Sequence, residues 1–237
     1  MKILAIESSS MVASAAIITE ETVLAEYTVN HKKTHSQTLL SMIDEIVTMT
    51  ETDLSEIDAI AVSGGPGSYT GLRIGSATGK GLGLALYKPL VHVPTMDAMA
   101  CNFWGTDKLV CPIMDARRQQ VYYGFYHCID KPEIVEKQNI ALIGEVVDKL
   151  NSLGEEVIFL GDAVGLHKNF FTEYLKVPFC FAPAHLNRSK AASVGYLGMS
   201  YFKEGKIQDA REHLPDYLRA SQAERELQEK LQSGKGS

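Results

Sequence analysis

The order of predicted secondary structure repeats once along this chain. Each copy has three strands joined by short turns, followed by helices that alternate with two more strands. The first copy has strands at Lys2–Glu7, Ala13–Thr19, Thr22–Asn30, Asp58–Ser63 and Pro89–Val93, with helices from Thr34, over Gly71–Tyr87 and over Thr95–Phe103. The second has strands at Lys108–Asp115, Gln119–His127, Pro132–Leu142, Glu156–Gly161 and Phe179–Pro183, with its last helix over Ser189–Glu204. This duplication predicts an α/β protein with two βββαβαβα lobes and a cleft between them.

The lobe boundaries follow from the repeat. We expect the first lobe to span residues 1–104 and the second to span residues 105–209. A charged helix within residues 210–232 is expected to pack back on the first lobe. Residues 233–237 are expected to be disordered, as chain termini often are.

Composition excludes several classes of function. A net charge of -6 gives the chain no basic surface for nucleic acid phosphates, so any RNA contact has to come from a partner. No apolar segment approaches the roughly 20 residues of a membrane span, and Glu7 interrupts the N-terminus too early for a secretory signal. We therefore expect a cytoplasmic protein. The four cysteines have no CxxC spacing and are expected to be reduced thiols: Cys101, Cys111, Cys128 and Cys180.

A glycine-rich segment at residues 64–83 is the most informative motif. It does not match a phosphate-binding loop, because residues 75–81 have one residue too few between glycines and a glycine in place of the hydroxyl. Four glycines recur every fourth residue and form one ridge of a helix: Gly71, Gly75, Gly79 and Gly83. Each costs up to about 1 kcal/mol relative to alanine, so a close neighbour must compensate. That neighbour is either the protein's own sheet or helices, or a partner protein.

Residues 64–75, Gly-Gly-Pro-Gly-Ser-Tyr-Thr-Gly-Leu-Arg-Ile-Gly, carry a specific resemblance. Together with the opening Ile-Leu-Ala-Ile-Glu-Ser-Ser, His35-Ser36 and Asp115-Ala-Arg117, they resemble the TsaB (YeaZ) family. The similarity covers most of residues 1–130. It implies the actin/sugar-kinase/Hsp70-like fold, in agreement with the duplication.

The resemblance also implies a function. Members of this family are non-catalytic scaffold or activator subunits that dimerise with the homologous TsaD, which threonylcarbamoylates the adenosine beside the anticodon of tRNA, and the ATPase TsaE assists. The resemblance implies that the chain has no cofactor of its own, and it leaves open ATP or ADP at the interface of the complex. It also implies that the chain forms a homodimer when it is alone. It places these residues at the partner seam: Tyr69, Gly71, Arg73, Gly75, Gly79 and Gly83.

The metal motif of the related catalytic subunit is missing. Where that subunit has H-x-E-G-H, residues Thr95–Met99 read Thr-Met-Asp-Ala-Met, and neither end offers an imidazole nitrogen. We therefore expect no metal site and no catalytic residue. His31 and His35 are four residues apart, but at a strand end and a helix start, which favours capping or surface packing. His92 is predicted to be a core histidine.

ATP-using proteins of this fold place acids at two strand ends near the phosphates, where Glu7 and Asp115 lie here. Arg117 and Arg118 replace the small residues that let backbone amides approach phosphate, so we expect at most a vestigial nucleotide cleft. Its candidate residues are Glu7, Ser8, Ser9, Asp115, Arg117, Gly161 and Asp162. The alternative functions are a glycoprotease-like peptidase, which lacks a supporting motif here, and an ATP-dependent small-molecule kinase of the same fold.

Overall fold

The computed structural model describes residues 1–31 and 35–219. Its first half contains β1 (Lys2–Glu7), β2 (Val12–Thr19), β3 (Val23–Asn30), α1 (His35–Met49), β4 (Ala59–Gly65), α2 (Tyr69–Leu86), β5 (Leu90–Pro94) and α3 (Thr95–Ala100). Its second half contains β6 (Thr106–Asp115), β7 (Gln120–Cys128), β8 (Glu133–Leu142), α4 (Ile143–Leu153), β9 (Val157–Leu160), α5 (Val164–Tyr174), β10 (Phe179–Phe181) and α6 (Ala191–Lys203). Short 3₁₀ turns lie at Leu54–Glu56 and Cys101–Phe103.

The two halves form two sheets with the same topology. The strand order is β3-β2-β1-β4-β5 in the first sheet and β8-β7-β6-β9-β10 in the second. In each sheet the first three strands pair antiparallel, and the last two add in parallel. The predicted duplication and the α/β fold class are confirmed.

The core is arranged in five layers. Side chains alternate between the faces of β1, so Leu4 and Ile6 pack towards α1 and α2, whereas Ile3 and Ala5 pack towards α6. In the second sheet, one face packs on α4 and α5 and the other on α3. Helices α3 and α6 therefore form a middle layer between the two sheets, and this layer joins the lobes.

The middle layer corrects the predicted lobe boundaries. Helix α6 was assigned with residues 105–209 to the second lobe, yet its Val194 and Leu197 are buried against the first sheet. The approach is close, since a Cβ atom at Gly198 would lie 2.6 Å from the Cβ atom of Ala61. Helix α3, assigned to the first lobe, contributes Met96 and Met99 to the core of the second sheet. An apolar helix face must be buried, but chain order does not say against which of two facing sheets.

The segment after α6 is not the predicted helix over residues 210–232, as far as it is described. Residues 210–219 contain no helix and lie along the first lobe. Pro215 interrupts this stretch and cannot donate a helical hydrogen bond. The rest of that predicted helix, the tail 233–237 and the predicted N-cap Thr34 lie outside the described residues. Of the helices described, none has the length and apolar character to cross a membrane.

Candidate functional site

Helix α2 carries the motif that the sequence singled out. Ser68 is its N-cap, with the hydroxyl oxygen accepting from the Gly71 amide at 3.3 Å, which satisfies one of the free donors of the first turn. Tyr87 ends the helix in a left-handed conformation with φ of 55°, and its amide donates to the Gly83 carbonyl. The helix therefore begins and ends through local contacts, independently of any partner.

The four-glycine ridge faces the first sheet. A Cβ atom at any of the four positions would collide with that lobe. The nearest atoms would be Ser8 O at 2.1 Å from Gly71, Ser8 Oγ at 2.2 Å from Gly75, Val62 Cγ2 at 2.6 Å from Gly79 and Leu90 Cδ1 at 2.5 Å from Gly83. The prediction that these glycines lie at a partner seam is therefore wrong. They are glycine because the helix backbone packs closely on its own strands.

A second ridge, made of small residues in its C-terminal part, lies on the opposite side of α2. Residues two positions further along a helix are turned by about 200°, so this ridge points away from the sheet. It consists of Tyr69, Arg73, Ala77, Gly81 and Ala85, of which all but the half-buried Tyr69 are exposed. No atom lies within 4 Å of a Cβ atom at Gly81, so nothing within the described chain requires glycine there. We call these five residues the outer ridge.

Tyr69 and Arg73 of the outer ridge contact each other. Both were also predicted from the sequence to contact the partner. The Arg73 guanidinium lies 5.0 Å from the centre of the Tyr69 ring, within the range of a cation–π contact. Tyr217 packs on the same ring at 4.8 Å between centroids. Arg73 and Tyr69 therefore occupy the exposed side of α2, whereas the glycines of the same prediction do not.

A cleft of about 560 Å³ lies between the lobes, beside the N-terminus of α2. Four of the predicted cleft residues line it: Ser9, Asp115, Arg117 and Asp162. Residues of the C-terminal segment, Asp216 to Arg219, also line it. The sequence thus identified part of a real cleft but not the segment that enters it.

The other three predicted cleft residues are buried and have structural partners. Glu7 is fully buried, and its Oε1 accepts from the amide and the hydroxyl of Ser9 at 2.6 and 2.5 Å. The Ser8 hydroxyl donates to the Gly71 carbonyl at 2.9 Å. Gly161 has φ of 115°, and a Cβ atom there would lie 1.9 Å from the Ile113 carbonyl oxygen. These residues fix strand ends and loops rather than facing the cleft.

The second strand-end turn of the cleft is closed by its own hydrogen bonds. Arg117, Arg118 and Gln119 all have left-handed backbone conformations. The Arg117 amide donates to the Asp115 carboxylate at 2.7 Å, and the Gln120 amide donates to the Arg117 carbonyl at 3.1 Å. Because these amides are engaged within the turn, they do not point towards a phosphate.

Two carboxylates meet at this turn. The Asp162 Oδ1 atom accepts from the Asp115 amide at 2.9 Å. Burial raises the pKa of Asp162, against opposing contributions from that amide and from Arg188. Asp162 therefore holds the end of β6 in place, and its neighbour Asp115 adds negative charge to the cleft wall.

The segment in place of the metal motif joins the lobes. Within it, Asp97 accepts from the hydroxyls of Tyr126 at 2.7 Å and Tyr201 at 3.2 Å. The predicted packing role of His35 fits its contact with the Val12 carbonyl at 3.1 Å. His92 is half-buried and pairs with Asp216 at 3.1 Å. In residues 1–31 and 35–219, no three histidine, cysteine, aspartate or glutamate side chains are grouped to hold a metal ion.

Sequence reasoning missed Tyr217 and three residues of the outer ridge: Ala77, Gly81 and Ala85. The spacing of Ala77, Gly81 and Ala85 was visible, but the four-glycine ridge gave the stronger pattern. No local signal links Tyr217 to Tyr69, because their contact depends on the path of the chain after α6.

Comparison with known proteins agrees with this architecture. The family model of TsaD, tRNA N6-adenosine threonylcarbamoyltransferase, matches residues 22–227. The tRNA threonylcarbamoyladenosine biosynthesis protein TsaB of Bacillus subtilis is 33% identical over 226 residues, covering 94% of this chain and 96% of that protein. Its namesake from Escherichia coli is 35% identical over 163 residues, covering 62% of this chain and 70% of that protein.

Solved structures support the same fold. YeaZ from Pseudomonas aeruginosa superposes with a TM-score of 0.75 at 23% identity, covering 92% of this chain and 99% of that one. A second structure from that organism, of a protein similar to peptidase YEAZ, gives a TM-score of 0.79 at 24% identity with the same coverage. With the near full-length sequence match, these findings show that the chain belongs to the TsaB (YeaZ) family of tRNA threonylcarbamoyladenosine biosynthesis proteins.

Proposed function

We propose that this chain is a non-catalytic scaffold subunit that binds a TsaD-like catalytic subunit through the outer ridge of α2. The relatives carry the name of the threonylcarbamoyladenosine pathway, and the family model that matches the chain is that of the transferase. A subunit homologous to the enzyme but lacking its two metal-motif histidines is suited to support rather than to perform the transfer.

Gly81 is the observation that carries this proposal. An exposed glycine inside a helix costs about 1 kcal/mol relative to alanine, and the described part of the chain provides no contact that requires it. With Ala77 and Ala85 it forms a small-residue ridge, which lets a second helix approach to about 8 Å between axes. The exposed Leu84 lies beside the ridge and adds apolar area. A partner helix packed on the outer ridge accounts for both the exposed glycine and the exposed leucine.

The same ridge serves a homodimer when the chain is alone, because a helix with small residues can pack on its own copy. The net charge of -6 disfavours contact with the phosphates of RNA, so tRNA joins through the other subunits of the complex. A TsaE-like ATPase also joins through the complex. Any ATP or ADP is held at the complex interface, because the amides of Arg117 and Gln120 are engaged within their own turn. Modification of tRNA places this work in the cytoplasm.

The test is to measure association of the purified chain with its TsaD-like subunit by light scattering and calorimetry. Gly81→Leu keeps the helix, because leucine has the higher helix propensity, but it separates the two backbones. Overpacking of a tight contact costs about 1–3 kcal/mol, so affinity should fall about fivefold to 150-fold.

Gly165→Leu is the matched control. Gly165 is also an exposed helical glycine with open space around its Cβ position, but it lies on α5 of the second half. We expect this variant to bind the partner like the wild type. If Gly81→Leu folds and binds as tightly as Gly165→Leu, the outer ridge is not the partner surface.

A further inference from the structure

The chain between Gln208 and Arg219 runs alongside α2 as a strap, with three anchors. Gln208 and Leu90 exchange backbone hydrogen bonds of 2.8 and 3.0 Å at the edge of the first sheet. The Lys80 ammonium donates to the carbonyls of Arg211 at 2.9 Å and His213 at 3.1 Å. The strap therefore follows the helix from its C-terminal end towards its N-terminus.

The third anchor lies at the glycine loop before α2. The Asp216 amide donates to the Gly64 carbonyl at 2.7 Å, and the Asp216 carboxylate pairs with His92 at 3.1 Å. Gly65 has φ of 115°, and a Cβ atom there would lie 2.4 Å from the Asp216 carbonyl oxygen. The loop has room for the strap only because this position is glycine. The strap is thus a built-in part of the first lobe.

The strap places Tyr217 at the N-terminal end of the outer ridge. Its ring packs on Tyr69, and the Arg73 guanidinium also contacts the Tyr69 ring. Across residues 1–31 and 35–219, Arg73 forms no ion pair, and its side chain is exposed. Among the outer-ridge residues it is the only charged one. An exposed arginine held over an aromatic ring has lost rotamer freedom before binding, which lowers the entropic cost of using it in an interface.

We infer that Tyr217 is a positioning residue for the partner surface: it holds Tyr69, and through it Arg73, ready to pair with a carboxylate of the catalytic partner subunit. This inference rests on the function proposed above for the outer ridge. Arginine and tyrosine are the residue types that most often dominate interface energies. A carboxylate is the group that the planar guanidinium binds with two parallel hydrogen bonds. The partner helix is therefore acidic at the end that meets Arg73 and small or apolar along the rest.

The experiment is a double-mutant cycle on association with the TsaD-like subunit. Arg73→Ala, Tyr217→Ala and the double variant are compared with the wild type by calorimetry. We expect about a tenfold loss of affinity for Arg73→Ala and about a fivefold loss for Tyr217→Ala. Because Tyr217 acts through Arg73, the double variant should lose no more than Arg73→Ala alone. Tyr174→Ala, at an exposed tyrosine of α5, is the control and should bind like the wild type.

The outcomes separate this inference from the proposed function. If Gly81→Leu weakens association but Tyr217→Ala does not, the ridge binds the partner and the role of Tyr217 is wrong. If the losses of the two single variants multiply in the double variant, Tyr217 does not act through Arg73, and the inference also fails. If Gly81→Leu binds normally, the proposed function falls first, and this inference falls with it.

Discussion

Glu7 illustrates how one residue at a strand end takes a structural role. Its carboxylate is fully buried, and Oε1 is satisfied by Ser9. Oε2 has no partner of good hydrogen-bond geometry among the described residues, although the nearby Ser63 hydroxyl slightly favours the charged form. Burial outweighs these contacts and raises the pKa of Glu7. A group that resists ionisation and does not face the cleft is a poor ligand for a nucleotide-bound cation.

We expect Glu7→Gln to change how stability depends on pH. Because the folded pKa is raised, the native protein binds more protons than the unfolded chain above pH 4.5, so wild-type stability falls as pH rises through the interval up to the folded pKa. Glutamine carries no charge and still accepts from Ser9. The stability of the variant relative to the wild type, measured by urea unfolding, should therefore be higher at pH 8 than at pH 5.

Glu21→Gln is the control for this measurement, because Glu21 is exposed in the turn between β2 and β3. Parallel pH profiles for Glu7→Gln and the wild type would show that the Glu7 carboxyl does not titrate differently in the folded state.

At the scale of the element, α2 shows what a periodic pattern can and cannot predict. The sequence predicted a helix over Gly71–Tyr87 and a close neighbour for its glycines, and the helix spans Tyr69–Leu86 with such a neighbour. The neighbour was assigned wrongly. Periodicity specifies which residues share a face, but two small-residue ridges on opposite faces, such as those containing Gly79 and Gly81, look alike in sequence.

Alanine at two glycines of α2 should have opposite effects. At Gly71 a Cβ atom would lie 2.1 Å from the backbone oxygen of Ser8, which cannot rotate away. Gly71→Ala should therefore lower the free energy of unfolding by about 1–3 kcal/mol. Gly81→Ala meets open space and should raise it by up to about 1 kcal/mol. Urea denaturation of both variants checks this, and effects of the same sign would contradict the assignment of the two faces.

At the scale of the whole molecule, the duplication was predictable but the middle layer was not. The order of strands and helices could be derived from local periodicity, because the spacing of apolar residues along the sequence distinguishes a β-strand from an amphipathic helix. The positions of α3 and α6 depend on residues that are far apart in sequence but share a core, such as Ile3 and Val194 in one cluster and Met99 and Tyr122 in another. The cleft residues followed from strand ends, whereas the strap required the three-dimensional path of the chain.

The lobes are joined through a small polar network in this middle layer. Asp97 of α3 is buried and accepts from Tyr126 on β7 and Tyr201 on α6. Gln138 of β8 accepts from the Met96 amide at 3.3 Å and donates to the carbonyl of Gly65 at 3.1 Å. Burial raises the pKa of Asp97, and the two tyrosine hydroxyls oppose that shift. The network therefore couples both sheets to one carboxylate.

We expect Tyr126→Phe to weaken the coupling between the lobes. Removing the better-placed donor leaves the buried carboxylate with Tyr201 as its one side-chain donor among the described residues, which costs about 1–3 kcal/mol. The pKa of Asp97 then rises further, so the loss should be largest at neutral pH and should shrink as the pH falls through the raised pKa of this carboxyl. The unfolding transition followed by fluorescence of Trp104, the single tryptophan, should no longer coincide with the transition followed by circular dichroism.

Tyr123→Phe is the matched control on β7, because its hydroxyl pairs with Glu136 within the second sheet. It should lower stability without separating the two transitions. If Tyr126→Phe also keeps them coincident, the apolar contacts of α3 and α6 alone hold the lobes together.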